Sequence, residues 1–314
     1  MSQRVLVSGG AGVIARELLE LLSARGASVL SVDRLPLPGA APPGVEHLRG
    51  DLAEMDLAPL AAFRPEVVYH LAATFERSIE SPEFWDQGWA DNVVVTHRLI
   101  DAAATMPDLG AFVFASSYLV YRTAQYLSDA PRDAAVALGE DASILPRNLC
   151  GAAKLYAEAE LAFARSVQSR WFRTVSARIF RVYGRGSRDV VSRWVRAALR
   201  DEPIDLYHGR NRFDYVFSRD VAEGLIRLAD ARDAEGPVNL ATGRAREVRE
   251  VLQVIQQATG ASLDVREADV DEPYEASQAD TRRLRDMTGW QPTTTLESGV
   301  ATLVAHEREA AGVG

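Results

Sequence analysis

The chain has 314 residues, 47% of them hydrophobic and 25% charged, which is enough apolar content for a sizeable buried core and excludes disorder as the main state. A formal net charge of -9 argues against a nucleic-acid or anionic-membrane surface, and no apolar run approaches the ~20 residues of a membrane helix, so a soluble protein with neither partner is expected. One cysteine, Cys150, excludes an internal disulfide, and Met1-Ser2-Gln3-Arg4 runs into a strand without a secretory h-region, which predicts a cytoplasmic location.

Taken in order, residues 4–8 read as a strand, 12–25 as a helix and 28–33 as a second strand, followed by a Pro/Gly-rich loop at 36–44. A strand at 45–50, a short helix near 56–63, a strand at 66–71, a long helix near 84–106 and a strand at 110–115 come next. A polar loop at 122–147 precedes a helix near 148–168 and a strand at 174–180. Continuous apolar strands alternating with helices predict an α/β fold, a doubly wound parallel sheet covered on both faces. Beyond 184 the pattern changes to helices near 189–200, 219–231, 246–259, 280–288 and 296–309, with short strands between. The expected division is 1–183 and 184–314, the second part being a smaller mixed α/β lobe, with some chain crossing between the two.

Two side chains stand out without any comparison. The 35 basic residues include a single lysine, Lys154; where arginine is otherwise always used, a lysine suggests a site needing a compact, tunable ammonium. Cys150 lies one helical turn earlier, on the same face.

Strand 4–8 ends in Gly9-Gly10-Ala11-Gly12-Val13-Ile14-Ala15. Gly9 allows a tight turn, Gly12 removes a side chain where a pyrophosphate would approach, and the helix N-terminus at Val13 and Ile14 offers N–H groups to phosphate. Asp33, at the end of the second strand, can accept from both hydroxyls of an adenosine ribose and would repel a 2′-phosphate, which favours NAD over NADP. Arg34 pulls the other way, because a guanidinium can accept a phosphate. His70 reads as a structural partner within the sheet, and five histidines with one cysteine make no metal-ligand cluster, so no metal is expected.

These residues, with Gly50-Asp51-Leu52, Tyr69-His70-Leu71-Ala72-Ala73, Asn92-Val93, Ala115-Ser116-Ser117, Val120-Tyr121, Val182-Tyr183-Gly184, Phe213-Asp214-Tyr215 and Thr288-Gly289-Trp290-Gln291-Pro292, resemble the extended short-chain dehydrogenase/reductase family, the NAD-dependent nucleotide-sugar epimerases and dehydratases. The resemblance spans almost the whole chain. It implies a Rossmann domain holding NAD through Gly9, Gly12, Val13, Ile14, Asp33, Arg34, Asp51, Leu52, Leu71, Ala72, Ala73, Asn92 and Lys154, and a lobe holding a nucleoside-diphosphate sugar. Substrate contacts are implied for Glu76, Arg77, Ser117, Arg181, Arg188 and Arg212. It also implies a homodimer formed by helices 84–106 and 148–168, for which Leu155, Ala159 and Ala162 supply a small apolar stripe.

The family's Tyr-x-x-x-Lys reads here Cys150-Gly151-Ala152-Ala153-Lys154. A thiol, with a reference pKa of ~8.5 against ~10 for tyrosine, ionises readily beside an ammonium but is shorter than a phenol. Three roles are open to Cys150: a working acid/base or nucleophile, a small residue making room for substrate, or inert packing. Ser117 keeps the family's catalytic hydroxyl, and Tyr118 is the nearest phenol in sequence. Tyr156, two positions past Lys154, points about 160° away on a helix. Tyr118-Leu119 lacks the carboxylates that dehydratases and decarboxylases carry there, which disfavours both reactions. The expected activity is transient oxidation of a sugar hydroxyl to a ketone, with epimerisation the simplest outcome. A net ketosugar reductase and a hydride-inactive binder of NAD and nucleotide sugar are the alternatives.

Overall fold

Alternation along the first strand already separates two cores: Val5 and Val7 join one apolar cluster, and Leu6 joins another on the opposite side of the sheet. The computed structural model describes residues 2–74, 82–167, 172–268 and 270–311. In chain order come β1 (Arg4–Ser8), α1 (Val13–Ala24), β2 (Ser28–Asp33), β3 (Val45–Arg49), α2 (Ala58–Ala62) and β4 (Val67–His70). Then α3 (Pro82–Gly88) runs through a π-helical turn, Trp89–Val94, into α4 (Val95–Ala104), so the helix expected over 84–106 is interrupted at its middle. Next are β5 (Ala111–Ser117), a 3-10 turn at Tyr118–Val120, β6 (Leu127–Ser128), β7 (Val136–Leu138), α5 (Leu149–Val167), β8 (Arg173–Ile179) and β9 (Arg181–Tyr183). The rest is α6 (Val190–Leu199), β10 (Ile204–Tyr207), β11 (Arg212–Phe217), α7 (Ser218–Asp230), β12 (Gly236–Leu240), β13 (Ala245–Glu247), α8 (Val248–Thr259), β14 (Val265–Ala268), β15 (Tyr274–Ala279), α9 (Arg282–Thr288) and α10 (Leu296–Ala310).

Seven strands form the main sheet in the order β3-β2-β1-β4-β5-β8-β12, every pair parallel. Chain order reverses between β1 and β4, which opens a crevice beyond their carboxyl ends, the usual ligand position in a doubly wound Rossmann sheet. Apolar residues of α1 and α7 cover one face, and those of α2, α4 and α5 the other. A second sheet, β13-β11-β15-β6 with β7 and β9 attached, packs with α6, α8 and α10 around a separate core.

The chain crosses between the two parts in both directions. Strand β12 and helix α7, beyond residue 184, belong to the main sheet and its cover. Conversely β6 and β7, inside the stretch expected to be polar loop, pair with β15. Two- and three-residue strands carry too little alternation to be read from sequence.

Helix α5 is pinned by a buried ion pair. Glu158 accepts from Arg178 Nε and Nη2 at 3.0 and 2.7 Å and from Ser116 Oγ at 2.5 Å, and the two charged side chains are only 8% and 5% exposed. Arg178 also donates to Tyr121 Oη at 3.2 Å and to the Glu140 carbonyl at 3.1 Å. Removing one partner strands a buried charge, so Glu158→Ala should lower stability by about 3–5 kcal/mol in urea or thermal unfolding.

Candidate functional site

At the mouth of the crevice the chain turns through Gly9, whose φ of 78° and N–H···O bond to Val32 (2.8 Å) define the bend. A Cβ on Gly9 would lie 2.5 Å from the Ala72 nitrogen, so no other residue fits without displacing the loop after β4. Gly12 is the N-cap of α1, and a Cβ there would meet only the Gly9 carbonyl, at 3.1 Å. The N–H groups around Val13 and Ile14 thus open onto an unobstructed approach, as a pyrophosphate requires.

The Asp33 carboxylate is held at this mouth by the backbone N–H groups of Ala11 (3.1 Å) and Leu35 (2.9 Å). Arg34 turns away into a two-point ion pair with Asp91, 2.9 Å on each arm, and lies 3.7 Å from Asp51. Asp51 caps its own turn through Ala53 N–H at 2.8 Å, and Leu52 is buried.

A hydrogen-bond chain fixes the loop Leu71-Ala72-Ala73-Thr74. Thr96 Oγ1 donates to the Asn92 carbonyl at 2.7 Å, so it must accept from His70 Nε2 at 2.8 Å. His70 Nδ1 is then the acceptor for Ser8 Oγ at 2.6 Å, and Ser8 Oγ accepts from Ala72 N–H at 3.4 Å. One tautomer satisfies every member. Burial, with the Lys154 ammonium nearby, pushes His70 down to about 3, so the ring stays neutral. Asn92 completes the chain by gripping the Thr74 backbone through both amide atoms, at 2.8 and 2.9 Å. Both amide atoms of Asn92 thus position this loop.

The end of β5 and the start of α5 meet beside the crevice. Ser117 caps the 118–120 turn by accepting from Leu119 N–H at 3.2 Å. The Leu119 carbonyl accepts from Arg147 N–H at 2.9 Å, and a Cβ on Gly151 would stand 2.6 Å from that same oxygen, so the helix enters in direct contact with the turn. Cys150 and Lys154, 6% and 8% exposed, share the inward face. The Lys154 ammonium sits 4.7 Å from the Phe114 ring centre, and among the described residues no carboxylate pairs with it. Burial holds it below the ordinary lysine value, an effect that Cys150 opposes. Tyr156 is exposed, as its helical offset predicts.

Tyr118 is buried in a cluster with Tyr126 and Phe180. Its ring stacks on Phe180 at 5.0 Å, its hydroxyl donates to Glu275 at 3.3 Å, and burial pushes it up to about 12. Glu275 is 2% exposed and binds Arg147 at 2.5 Å and Arg181 at 3.3 Å. Burial alone would raise that carboxyl, but the two guanidiniums outweigh it and hold it below its usual range. Arg181 also lies flat on Phe213 at 3.6 Å. Arg212 is tied to Glu247 (2.7 Å) and to the Arg132 carbonyl (3.2 Å), whereas Arg188 is exposed on the surface. Glu76 and Arg77 lie outside the described residues. Three carboxylates that organise the site, Asp91, Glu158 and Glu275, were not singled out from sequence. Glu158 carried a signal, being one turn past Lys154 and two past Cys150, but Glu275 and Asp91 find their partners only in three dimensions.

Residues 5–241 match the NAD dependent epimerase/dehydratase family. The chain belongs to that family. Its extent agrees with the fold, since residue 241 directly follows β12, the last strand of the main sheet. The UDP-glucose 4-epimerase of Mycolicibacterium smegmatis is 29% identical, over 97% of this chain and 98% of its own length. UDP-glucuronic acid decarboxylase 2 of Arabidopsis thaliana is 26% identical, over 98% of this chain and 68% of its own. Among solved structures, MoeE5 in complex with UDP-glucuronic acid and NAD superimposes with a TM-score of 0.85 at 30% identity, covering 98% of this chain and 99% of that one.

NAD is the cofactor of the family, and the open face of Gly12, the α1 N-terminus and the anchored Asp33 fit it. Replacing Gly9 by alanine would force a side chain into left-handed backbone, about 1–2 kcal/mol in itself, and into the Ala72 backbone. Gly9→Ala should therefore weaken NAD binding by about tenfold or more in a calorimetric titration.

Proposed function

We propose that this protein oxidises a hydroxyl of a nucleoside-diphosphate sugar to a ketone and returns the hydride, with epimerisation as the net reaction. The observation that carries this reading is the buried Lys154 ammonium, which pairs with no carboxylate among the described residues and shares a helix face with Cys150 next to the Ser117 turn. A buried charge without a counter-ion is costly unless a ligand completes it. Ribose hydroxyls of a bound dinucleotide would do so. When bound, NAD supplies a reversible hydride acceptor; Gly9 to Gly12 and the α1 N-terminus would hold its diphosphate, Asp33 the adenosine ribose, and Lys154 the nicotinamide ribose.

The chain must then move one proton off the sugar hydroxyl. Ser117 stands at the carboxyl end of β5 with a hydroxyl able to pass it on. Two outer partners were open, and the geometry favours Cys150. Tyr118 is occupied by Glu275 and is a poor base at neutral pH, its hydroxyl being pushed up to about 12. Lys154 stabilises the deprotonated partner by charge. Arg147 and Arg181, held by Glu275 beside Tyr118, are placed to meet polar groups of the substrate, and similarity to a UDP-glucose 4-epimerase and to MoeE5 bound to UDP-glucuronic acid supports a UDP-sugar.

Incubation with NAD and a panel of UDP-, dTDP-, GDP- and CDP-sugars, followed by proton NMR of the sugar, should reveal an epimer. Lys154→Ala and Cys150→Ala should each reduce turnover by about 10²-fold or more, as loss of acid/base assistance does. Full turnover in both variants would sink the assignment, and an almost silent Cys150→Ala with an inactive Lys154→Ala would return the proton to another group.

We also propose a homodimer through α3, α4 and α5. Trp85 on α3, Trp89 in the π-helical turn that leads into α4, and Tyr156 and Phe163 on α5 are 51%, 61%, 48% and 65% exposed, and single-chain proteins rarely leave such aromatics in water together. The stripe on α5 runs through Ala152, Tyr156, Ala159 and Phe163; Leu155, assigned to it from sequence, instead packs inward against the Tyr118–Val120 cluster. Phe163→Glu should shift sedimentation towards the monomer. A wild type that sediments as a monomer at every concentration would rule the interface out.

A further inference from the structure

The end of β2 places an acidic and a basic residue side by side, and they imply opposite preferences at the adenosine ribose. Asp33 disfavours a 2′-phosphate by like charge, whereas a disengaged guanidinium at position 34 would bind one. In the structure that guanidinium is already committed. Arg34 Nη1 and Nη2 each donate to a different oxygen of Asp91, both at 2.9 Å. Asp91 is only 7% exposed, and its Oδ2 also receives Thr74 Oγ1 and, at 3.4 Å, Gln87 Nε2. Asp51 stands 3.7 Å from Arg34 on another side. Two carboxylates therefore flank one guanidinium, and the Asp33 charge also acts on it.

The π-helical turn explains how Asp91 comes to be there. It carries Asp91 and Asn92 in succession towards the loop after β4, so that Asp91 takes Arg34 and Thr74 Oγ1 while Asn92 takes the Thr74 backbone. A buried carboxylate does not readily release its counter-ion, and the end-on fork of Nη1 and Nη2 is closed on the two oxygens of Asp91, which fixes where the charge lies.

We propose that Asp91 is a cofactor-specificity residue. It holds Arg34 in a two-point ion pair and withholds it from the 2′-phosphate of NADP, leaving the preference set by Asp33 unopposed. Arg49, exposed on β3 and in register with Asp33, is the competing source of positive charge, and the test must separate the two.

Both cofactors are titrated by calorimetry into wild type, Asp91→Asn, Arg34→Ala and the double variant. Asparagine keeps an acceptor for Thr74 but releases the guanidinium. Wild type should prefer NAD. Asp91→Asn should raise NADP affinity by about tenfold, the scale of one charge-assisted hydrogen bond, and change NAD affinity much less. In the Arg34→Ala background the same substitution should bring little gain, because the released group is absent. A gain that persists there would assign the effect to Arg49 or to bulk charge and overturn the proposal, as would an unchanged NADP to NAD ratio in Asp91→Asn. Should that variant not fold, Asp91→Ser reads the same ratio, and Arg34→Ala alone still decides: a large loss of NADP affinity would show that Arg34 already reaches the phosphate in wild type, contrary to the proposal.

Discussion

Glu158 receives three hydrogen bonds in a place water does not reach, two from Arg178 on β8 and one from Ser116 on β5. That arrangement fixes the rotation of α5 together with the buried stripe Ala157, Leu161 and Ala164 and the close approach of Gly151 to the Leu119 carbonyl. Lys154 and Cys150 lie one and two turns before Glu158, on the same face. Turn the helix by a third of a revolution and both would leave the crevice, while Tyr156, now in solvent, would enter it. The pair also reaches further than α5. Arg178 continues through Tyr121 Oη to Asn239 on β12, and Asn239 binds the carbonyls of Leu138 and Asp280 at 2.8 and 3.2 Å. One ionic contact thus couples the helix that bears Cys150 and Lys154 to the edge strand and to the second sheet.

The other half of the crevice is built from neutral hydrogen bonds. From Ala72 N–H through Ser8, His70 and Thr96 to the Asn92 carbonyl, each donor meets one acceptor, and the fully buried ring cannot take a second proton without leaving that order. The loop after β4 is therefore placed from both sides, by Gly9 beneath it and by Asn92 above. Such placement leaves the loop little freedom at the mouth of the crevice, where small errors in position would lose much of any close interaction.

Six of the seven strands of the main sheet, all but β12, together with the glycine turn and the shared face of Cys150 and Lys154, were legible in the sequence because each follows from local periodicity or from a residue without alternatives. Asp33 was legible for the same reason, as its position after β2 is set by strand length. What escaped depends on partners far away in the chain. Nothing near Arg34 says that its charge is spent on a residue 57 positions later, and nothing near Tyr118 says that a glutamate 157 positions later takes its hydroxyl. The π-helical turn escaped because apolar periodicity hardly distinguishes one extra residue in a turn from a continuous helix. Strands β6 and β7 escaped because their stability comes from pairing with β15 and not from their own composition.

The use of arginine and lysine across the molecule follows one physical division. Arg34, Arg178 and Arg185 each engage a carboxylate with two arms or more than one acceptor, and Arg181 adds a flat contact on an aromatic ring. A planar fork of fixed geometry is suited to holding elements together. At Arg34, Arg178 and Arg185 the charge is spent within the protein. Lys154 is the one position where the fork would be a liability, since a guanidinium retains its proton throughout the accessible pH range and spreads its charge over three nitrogens. The ammonium is compact and responds to burial and to Cys150. A chain whose other Lys/Arg residues are all arginine has its one lysine buried on the face of α5 that it shares with Cys150.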